Sequence, residues 1–361
     1  MRVLVAPDKF AGTLSAVEAA EAVAAGWRGA RPDDELDLAP MSDGGPGFVD
    51  VLHEALGGEL LAVTVRGPHG APTPATVLLA DATAYVESAQ ACGLHLTEKK
   101  GPEEATSYGV GELVAAAVDA GAATVVLGLG GSGTTDGGAG MLAALGATAD
   151  VPLDAGAAGL AGVGTVDVAA ARARVAGVRL VAASDVDNPL TGLFGAAKTF
   201  GPQKGIPDER LPAVDGLLEE YAATLDRRVA LEKGAGAAGG LGYAALVLGA
   251  TREPGIGLVV EAVGLAERAR RADLVITGEG AFDFSSRAGK VPHGVAGVAE
   301  QALRPCVVLA GAVLVGSREM RALGIESAYS LVDLVGEQRA FAEPAAALAE
   351  LAARTARTWS R

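Results

Sequence analysis

The fold is decided by the stretch 124–140, which reads TVVLGLGGSGTTDGGAG. Its first part, Thr124–Leu129, is a short run of apolar and β-branched residues and predicts a buried strand. A turn with six glycines, three hydroxyl residues and one carboxylate follows at 130–140. Because glycine weakens ordinary structure, a loop this rich in glycine favours a functional role in which backbone N–H groups cradle phosphate oxygens.

The same order of apolar run, Gly/Asp turn and amphipathic helix recurs along the chain. Ser15 and Glu18 form a capping box that predicts a helix running to about Gly26, and 109–120 predicts another. Continuous apolar strands that alternate with helices predict an α/β fold with parallel sheets covered on both faces. In such sheets ligands bind beyond the carboxyl ends of the strands. The predicted strands are 2–6, 84–87, 124–129, 179–183, 273–277 and 306–310.

The length of 361 residues favours two domains. Breaker-rich segments at 66–70 and 251–255 suggest where the chain passes from one to the other. We therefore predict one domain from 1–66 and 256–361, with a second α/β domain, 67–255, inserted into it.

Composition excludes several classes of function. A net charge of −15 argues against nucleic acid as the main partner, and no apolar run reaches membrane-spanning length. Two cysteines make no disulfide framework, and the first residues do not resemble a signal peptide, so we expect a cytoplasmic protein with a small-molecule substrate. Whether it is a monomer or a homodimer is left open.

Charged groups follow the predicted strands. Asp8 and Lys9 come directly after the first strand, Asp43 lies in a Gly-Gly turn, and Asp283 and Lys290 follow the strand at 273–277. Asp185 opens an Asp-Val-Asp-Asn turn whose oxygens suit Mg²⁺, which takes few protein ligands together with substrate phosphates.

Further residues suit a phosphate-rich ligand. Lys204, in a Gly-Pro-Gln-Lys-Gly turn, supplies a point charge for phosphate or carboxylate. The segment 234–242, with Gly236 and Gly239, is either a nucleotide-contacting helix start or a tightly packed structural helix. Within the glycine-rich loop the candidates are Gly130, Gly131, Ser132, Thr134, Asp136 and Gly137.

Other catalytic arrangements are weak. The four histidines lack metal-binding spacing, and neither a Gly-x-Ser-x-Gly elbow nor a Walker A loop is present. Carboxylates, lysines and glycine-rich loops are typical of phosphoryl transfer assisted by Mg²⁺.

Read in order, these segments resemble the bacterial glycerate kinase family that phosphorylates the 2-hydroxyl. No single motif is specific, but together and in sequence order they are. The matching segments are APDKF (6–10), DGG (43–45), ESA (87–89) with GL (93–94), TSYGVG (106–111), GGS (130–132) with Thr134 and DGG (136–138), DV (185–186) with NPL (188–190), GPQKG (201–205), GAGAAGG (234–240) and TGEG (277–280) with 283–290.

The resemblance implies conversion of D-glycerate to 2-phosphoglycerate with ATP and Mg²⁺. It also implies a flavodoxin-like domain formed by both termini, a second α/β domain inserted into it, and a cleft between them. We expect Mg²⁺ on Asp185 and Asp283, and Asp8 or Asp43 as the proton acceptor. The glycerate carboxylate is expected on a cationic group, Lys9, Lys290 or Arg287.

Three positions depart from the family pattern: Pro46 where Glu is usual, Ala281 where a basic or polar residue is common, and Ser285 where Gln is usual. A site that loses a polar contact changes its substrate discrimination. A kinase for a related sugar acid and a weakened ligand-binding member therefore stay as alternatives. A Mg²⁺-dependent hydrolase is a third.

Overall fold

A computed structural model describes residues 1–10, 12–283 and 290–360. By internal contacts the chain divides into two units, the first comprising 1–43, 50–56 and 256–361, the second 44–49 and 57–255. Both are α/β, as predicted.

The described chain contains thirteen strands. They are β1 (Arg2–Val5), β2 (Glu35–Leu38), β3 (Glu59–Arg66), β4 (Pro72–Ala80), β5 (Thr83–Glu87), β6 (Thr124–Gly128), β7 (Thr148–Ala149), β8 (Val166–Asp167), β9 (Arg179–Ala183), β10 (Thr251–Glu253), β11 (Leu274–Phe282), β12 (Cys306–Val313) and β13 (Ser327–Ser330).

Eighteen α-helices and three short 3₁₀ turns (Ala158–Leu160, Asp208–Arg210, Ala237–Gly240) lie in the same described residues. The helices are α1 (Ala16–Ala30), α2 (Phe48–Leu56), α3 (Ala89–Cys92), α4 (Leu94–Thr97), α5 (Tyr108–Asp119), α6 (Ala139–Ala144), α7 (Ala169–Arg174), α8 (Ala196–Lys204), α9 (Leu211–Thr224), α10 (Arg227–Ala230), α11 (Leu241–Val247), α12 (Gly255–Ala262), α13 (Leu265–Arg271), α14 (Val291–Gln301), α15 (Ser317–Ala322), α16 (Leu331–Val335), α17 (Glu337–Ala342) and α18 (Pro344–Trp359).

The first unit is built on one wholly parallel sheet in the order β2-β1-β11-β12-β13. Numbered along the chain, this is the flavodoxin order 2-1-3-4-5, which confirms the predicted fold class. The strand order reverses between β1 and β11. That reversal leaves a crevice at the carboxyl ends of these two strands, where doubly wound sheets bind ligands.

Helices α1 and α18 join the two ends of the chain. The predicted capping box is present, since Ser15 Oγ accepts the Glu18 N–H at 3.2 Å and the Glu18 carboxylate accepts the Ser15 N–H at 2.8 Å. A Cβ on Gly26 would lie 1.9 Å from the Ala349 carbonyl, so only glycine permits this helix crossing. The buried faces of both helices pack on the strands through Val23, Trp27, Leu348 and Leu351.

The second unit is built on a mixed sheet in the order β10-β9-β6-β5-β4-β3, and a small β7–β8 pair lies outside it. Strands β5, β6, β9 and β10 are parallel, whereas β3 and β4 are antiparallel. The prediction assigned residues 57–66 to the first domain. They belong to the second unit because β3 pairs along its whole length with β4.

The core of the second unit lies between this sheet and the helices around it. Alanine, valine and leucine dominate it, with Tyr221 and Tyr243 among its largest members. In the described chain, no helix combines the length and the apolar character that crossing a membrane requires.

Candidate active site

Asp8, Lys9 and Asp43 meet at the carboxyl ends of β1 and β2. The Lys9 ammonium lies 3.5 Å from Asp8 Oδ1 and 3.7 Å from Asp43 Oδ1. The Asp8 N–H donates to the Gly278 carbonyl at 2.8 Å, which ties this turn to β11. The structure therefore brings three of the predicted residues together at the point where the strand order reverses.

Burial raises the pKa of Asp8 from its ordinary value of 3.8 to about 6. The Lys9 ammonium lowers that pKa, the neighbouring Asp43 carboxylate raises it, and hydrogen bonds from Lys9 lower it again. The effect of burial is the largest of these on the pKa of Asp8, because the side chain is almost wholly enclosed. Asp8 is then mostly ionised at pH 7, yet it holds a proton more readily than an exposed aspartate does.

A second cluster is formed by Glu279 of β11, the neighbouring strand, with Asp283 just after that strand and Lys290 at the start of α14. Lys290 Nζ lies 3.8 Å from Glu279 Oε2 and 3.9 Å from Asp283 Oδ1. Glu279 is buried, whereas Asp283 is partly exposed. Glu279 was not singled out as a site residue, although its position between two glycines marked the turn. The sequence Gly278-Glu279-Gly280 predicts a turn, but in the structure β11 continues through these residues to Phe282.

Three residues of this region, Ser285, Arg287 and Gly289, lie outside the described residues. Arg287 therefore stays a predicted cationic group for glycerate. Ala281, the departure that is described, lies within β11 and pairs with Ala312 of β12.

In the second unit the glycine-rich loop begins at the carboxyl end of β6. Its first glycines pack against another glycine-rich turn, because a Cβ on Gly130 would lie 2.5 Å from the Gly45 Cα atom. A Cβ on Gly131 would lie 2.6 Å from Cδ of Pro46, so the proline ring rests directly on the loop. The loop thus uses its glycines in part to let two backbones approach.

Asp136 is buried and fixes the loop from inside. Its carboxylate accepts the N–H and the hydroxyl of Ser107, both at 2.8 Å, and the N–H groups of Gly138 at 3.0 Å and Gly140 at 3.3 Å. Burial raises the pKa of Asp136, and these hydrogen bonds oppose the rise. The carboxylate thus holds the loop from inside, and its role toward a nucleotide stays a prediction.

Lys204 is 2% exposed, which is rare for a lysine. Its ammonium donates to the Thr134 carbonyl at 2.6 Å and to Ser132 Oγ at 3.1 Å. Burial lowers the pKa of Lys204 to about 8, and Cys92 and Asp136 oppose this. The lysine therefore holds the loop carbonyl and hydroxyl in place. Ser107 and Cys92 are not among the predicted site residues. Neither follows a predicted strand in a charged or glycine-rich turn, so the sequence does not indicate that they lie beside the loop.

The segment 234–242 packs closely against the glycine-rich loop. Gly239 has φ 72°, and a Cβ there would lie 1.9 Å from the Thr134 carbonyl and 2.8 Å from Lys204 Nζ. A Cβ on Gly236 would lie 2.2 Å from the Pro189 carbonyl. The Gly137 N–H donates to the Gly239 carbonyl at 3.0 Å. These contacts favour the tightly packed structural alternative, although 234–240 is a turn and a short 3₁₀ segment and the α-helix begins only at Leu241.

Comparison with known proteins decides the family. Residues 3–360 match the model of the glycerate kinase family. This chain belongs to the glycerate kinase family.

Relatives and a solved structure agree. The chain is 39% identical to a glycerate kinase of Bacillus subtilis, over 92% of this chain and 90% of that protein. It is 37% identical to glycerate 2-kinase of Escherichia coli K12, over 93% of this chain and 92% of that protein. The crystal structure of a Salmonella typhimurium LT2 protein whose name includes glycerate kinase 2 has a TM-score of 0.79 and 35% identity, covering 99% of this chain and 98% of that one. The predicted family is thereby confirmed, and the protein is an enzyme, a kinase.

Within this glycerate kinase family member, Asp185 and Asp187 at the end of β9 differ in their surroundings. Asp187 forms ion pairs with Lys233 at 2.9 Å and with Arg252 at 2.8 Å. Those cations lower the pKa of Asp187, chiefly through the hydrogen bond from Lys233. Asp187 is thus held by two cations of the protein, and Asp185 stays the predicted metal ligand of this turn.

The donors present fit magnesium. Among the described residues no group of three or more His, Cys, Asp or Glu side chains is arranged to hold a metal ion. Mg²⁺ in phosphoryl-transfer sites needs only one or two carboxylates, with waters and substrate phosphates as further ligands. Asp185, in the second unit, and Asp283, in the first, each supply such a carboxylate, and both stay predicted ligands.

Proposed function

We propose that this kinase transfers the γ-phosphoryl group of ATP to the 2-hydroxyl of D-glycerate, giving 2-phosphoglycerate and ADP. The observation that carries the proposal is the cluster of Asp8, Lys9 and Asp43 at the reversal of strand order, in a member of the glycerate kinase family. The E. coli relative named glycerate 2-kinase supports the choice of hydroxyl.

In this proposal the lysines bind the acceptor. Glycerate carries a carboxylate, and Lys9 and Lys290 are the cationic groups described at the carboxyl ends of β1 and β11. Each ammonium has carboxylates at 3.5 to 3.9 Å, which hold it in place. The opposite charges of an ammonium and the glycerate carboxylate support this assignment.

Asp8 is the proposed proton acceptor. As the 2-hydroxyl oxygen attacks the γ-phosphorus, the bond from that phosphorus to the bridging oxygen of ADP breaks, and Asp8 accepts the hydroxyl proton. A carboxylate with a pKa of about 6 is ionised at neutral pH and is a stronger base than an exposed aspartate. Burial supplies this difference in basicity.

The glycine-rich loop is the proposed nucleotide site. Asp136 and Lys204 fix its backbone, and the N–H groups of Gly133, Gly137 and Gly138 are bonded within the protein. The other N–H groups at 130–136 are the ones that can be held ready for phosphate oxygens. Mg²⁺, on Asp185 and Asp283, would neutralise charge that develops on the transferred phosphoryl group.

The test is an ATP-coupled assay with D-glycerate, L-glycerate and larger aldonic acids, with the phosphorylated carbon identified by NMR. We expect turnover with D-glycerate and phosphorus on carbon 2. ATP consumption without an acceptor would instead favour a hydrolase. Tight binding of a sugar acid without turnover, by a folded protein, would favour a ligand-binding member of the family.

The metal assignment has its own test. Asp283→Asn is expected to raise the Mg²⁺ concentration needed for half-maximal rate and to lower kcat, because one hard oxygen ligand is lost. Asp187→Asn is the matched control, since that carboxylate is paired with Lys233 and Arg252. An unchanged Mg²⁺ dependence in Asp283→Asn would contradict the assignment.

A further inference from the structure

The six-stranded sheet ends at β3, and in the described chain no further strand lies beyond it. This edge strand is eight residues long, whereas the other edges of the two large sheets, β10, β2 and β13, have three, four and four residues. Long edge strands present unpaired backbone groups, and proteins usually blunt them with lysine, proline or short length. β3 has neither lysine nor proline, and its charged residues, Glu59 and Arg66, stand only at its ends.

The strand register shows which backbone groups of β3 point outward. Pro72 and Pro74 of β4 lie opposite Arg66 and Thr64. Proline has no N–H to donate, so these positions are non-hydrogen-bonded pairs of the antiparallel ladder. In such pairs the N–H and C=O groups point away from the partner strand. The even-numbered residues of β3 therefore direct their backbone groups away from β4.

Two hydrogen bonds agree with this direction. The Thr76 N–H, opposite Ala62, donates to the Gln90 side chain at 2.7 Å and so does not face β3. The Arg66 N–H donates to Glu112 Oε2 at 2.6 Å, which closes that end of the outer edge. Leu60, Ala62 and Thr64 are left to direct their backbone donors and acceptors along the open edge.

The side chains beside this edge are uncharged. Leu60 is 39% exposed, and Ala62 and Thr64 are exposed as well. A groove of about 360 Å³ on the same region of β3 and β4 is lined by aliphatic, threonine, proline and glutamine side chains. Nothing among these side chains would repel a second uncharged strand.

We propose that β3 pairs antiparallel with β3 of a second copy of this chain, about a two-fold axis at Ala62. Only the even-numbered residues of β3 direct backbone groups outward. In a hydrogen-bonded pairing, an even-numbered residue of one copy must therefore lie opposite an even-numbered residue of the other. With Ala62 opposite its own copy, Leu60 lies opposite the second copy's Thr64. All three outward residues then pair, with about six hydrogen bonds, two for each pair.

The capped end of the strand selects this register. The second copy's strand begins at Glu59 opposite Val65, so it stops short of Arg66, whose N–H is already bonded to Glu112. A shift by two residues toward Arg66 would place the second strand against the Glu112 carboxylate. A shift in the other direction leaves Thr64 without a strand partner.

Cross-linking tests the register directly. In a hydrogen-bonded antiparallel pair the Cα atoms are about 5.5 Å apart, within the range of a disulfide. We expect Ala62→Cys to form a covalent dimer on mild oxidation, since Cys92 and Cys306 are both buried. Thr64→Cys is the matched control: its two copies would be separated by four strand residues, about 13 Å, and would not cross-link.

Light scattering during size-exclusion chromatography tests the association itself. We expect a dimer for the unmodified chain, and at least tenfold weaker dimerisation for Ala62→Lys, which places two ammonium groups opposite each other. Ala62→Pro removes an outward N–H and is expected to act likewise, whereas Ala62→Val is expected to stay dimeric. Unfolding midpoints confirm that each variant is folded. A monomer at the highest soluble concentration, or a dimer that survives both the lysine and the proline, would overturn the proposal.

Discussion

Asp8 combines burial with a neighbouring like charge, and both raise its pKa. If it accepts the hydroxyl proton, Asp8→Asn should lower kcat by about 10²- to 10⁴-fold, while KM for glycerate changes much less. For the unmodified enzyme, kcat/KM should fall below about pH 6, where Asp8 becomes protonated. Steady-state rates between pH 5 and pH 9 check both expectations. If kcat/KM of Asp8→Asn still fell below about pH 6, that fall would belong to another group.

The same group has a stability consequence whose sign is fixed. The pKa of Asp8 is higher in the folded than in the unfolded chain, so the folded state binds the proton more tightly. The stability that protonation confers is present below about pH 4 and is lost as pH rises through about 6. We expect Asp8→Asn to be more stable than the unmodified chain at pH 7, by urea unfolding. Equal stability at pH 7 would show that burial does not penalise the Asp8 charge.

Lys204 illustrates a charge that acts through the backbone. Lys204→Met keeps the length of the side chain but leaves the Thr134 carbonyl and the Ser132 hydroxyl without this donor. We expect KM for ATP to rise more than kcat falls, and the unfolding free energy to drop by about 1–3 kcal/mol. Lys100→Met, which breaks only an exposed pair with Glu98, is the control and should change neither. A lower kcat with unchanged KM for ATP would place Lys204 in the chemical step instead.

At the scale of elements, the turn at 234–242 supports the nucleotide loop through glycines that cannot carry a side chain. Gly239→Ala adds a methyl group 1.9 Å from the Thr134 carbonyl, at φ 72°. We expect a loss of about 3 kcal/mol or more in stability, and weaker ATP binding because the loop must move. Gly249→Ala is the control that measures only the cost of a positive φ, because Gly249 has φ 90° and open space around it. We expect this variant to lose about 1–2 kcal/mol of stability. Equal losses in the two variants, by urea unfolding, would contradict the clash.

Elements with a local signal were predicted well from the sequence. Strand β9 has the predicted bounds, and the helix that Ser15 and Glu18 predicted is present, although it continues to Ala30. These elements follow from apolar runs and caps, which are local properties. Strand β4 is not predicted from the sequence, because Pro72 and Pro74 lie within it and proline in an apolar run argues against a strand. Its pairing with β3 and β5 identifies it.

Strand β11 shows why a site is harder to predict than a fold. The sequence places its end at Thr277, before Gly-Glu-Gly, whereas the strand continues to Phe282. It continues because β12 pairs with it as far as Val313, and Gly278 permits the close approach of the Leu309 carbonyl. Glu279 is thereby buried beside Lys290. Charge and glycine content mark the region, but burial and pairing decide what each group does.

For the whole molecule, the flavodoxin order depends on residues far apart in sequence. β1 and β2 come from the start of the chain, and β11 to β13 come from its end. The reversal between β1 and β11 brings Asp8 beside Gly278, which lies some 270 residues later in the chain. The Asp8 N–H donates to the Gly278 carbonyl at 2.8 Å. The glycine and carboxylate turns marked these positions in the sequence, and the topology explains why they belong to one crevice.

Net charge gives a prediction for the whole enzyme. The chain carries −15, and the clusters at β1, β2 and β11 hold four described carboxylates, Asp8, Asp43, Glu279 and Asp283, against two lysines. Both the overall and the local field therefore oppose the approach of an anionic substrate. Salt shortens the range of this field from about 30 Å at 0.01 M to about 8 Å at 0.15 M ionic strength. We expect kcat/KM for glycerate to rise severalfold over that range at constant free Mg²⁺, while kcat at saturation stays nearly constant. A fall in kcat/KM with added salt would instead show that Lys9 and Lys290 dominate the encounter, and that the surrounding carboxylates serve mainly to position those two ammonium groups.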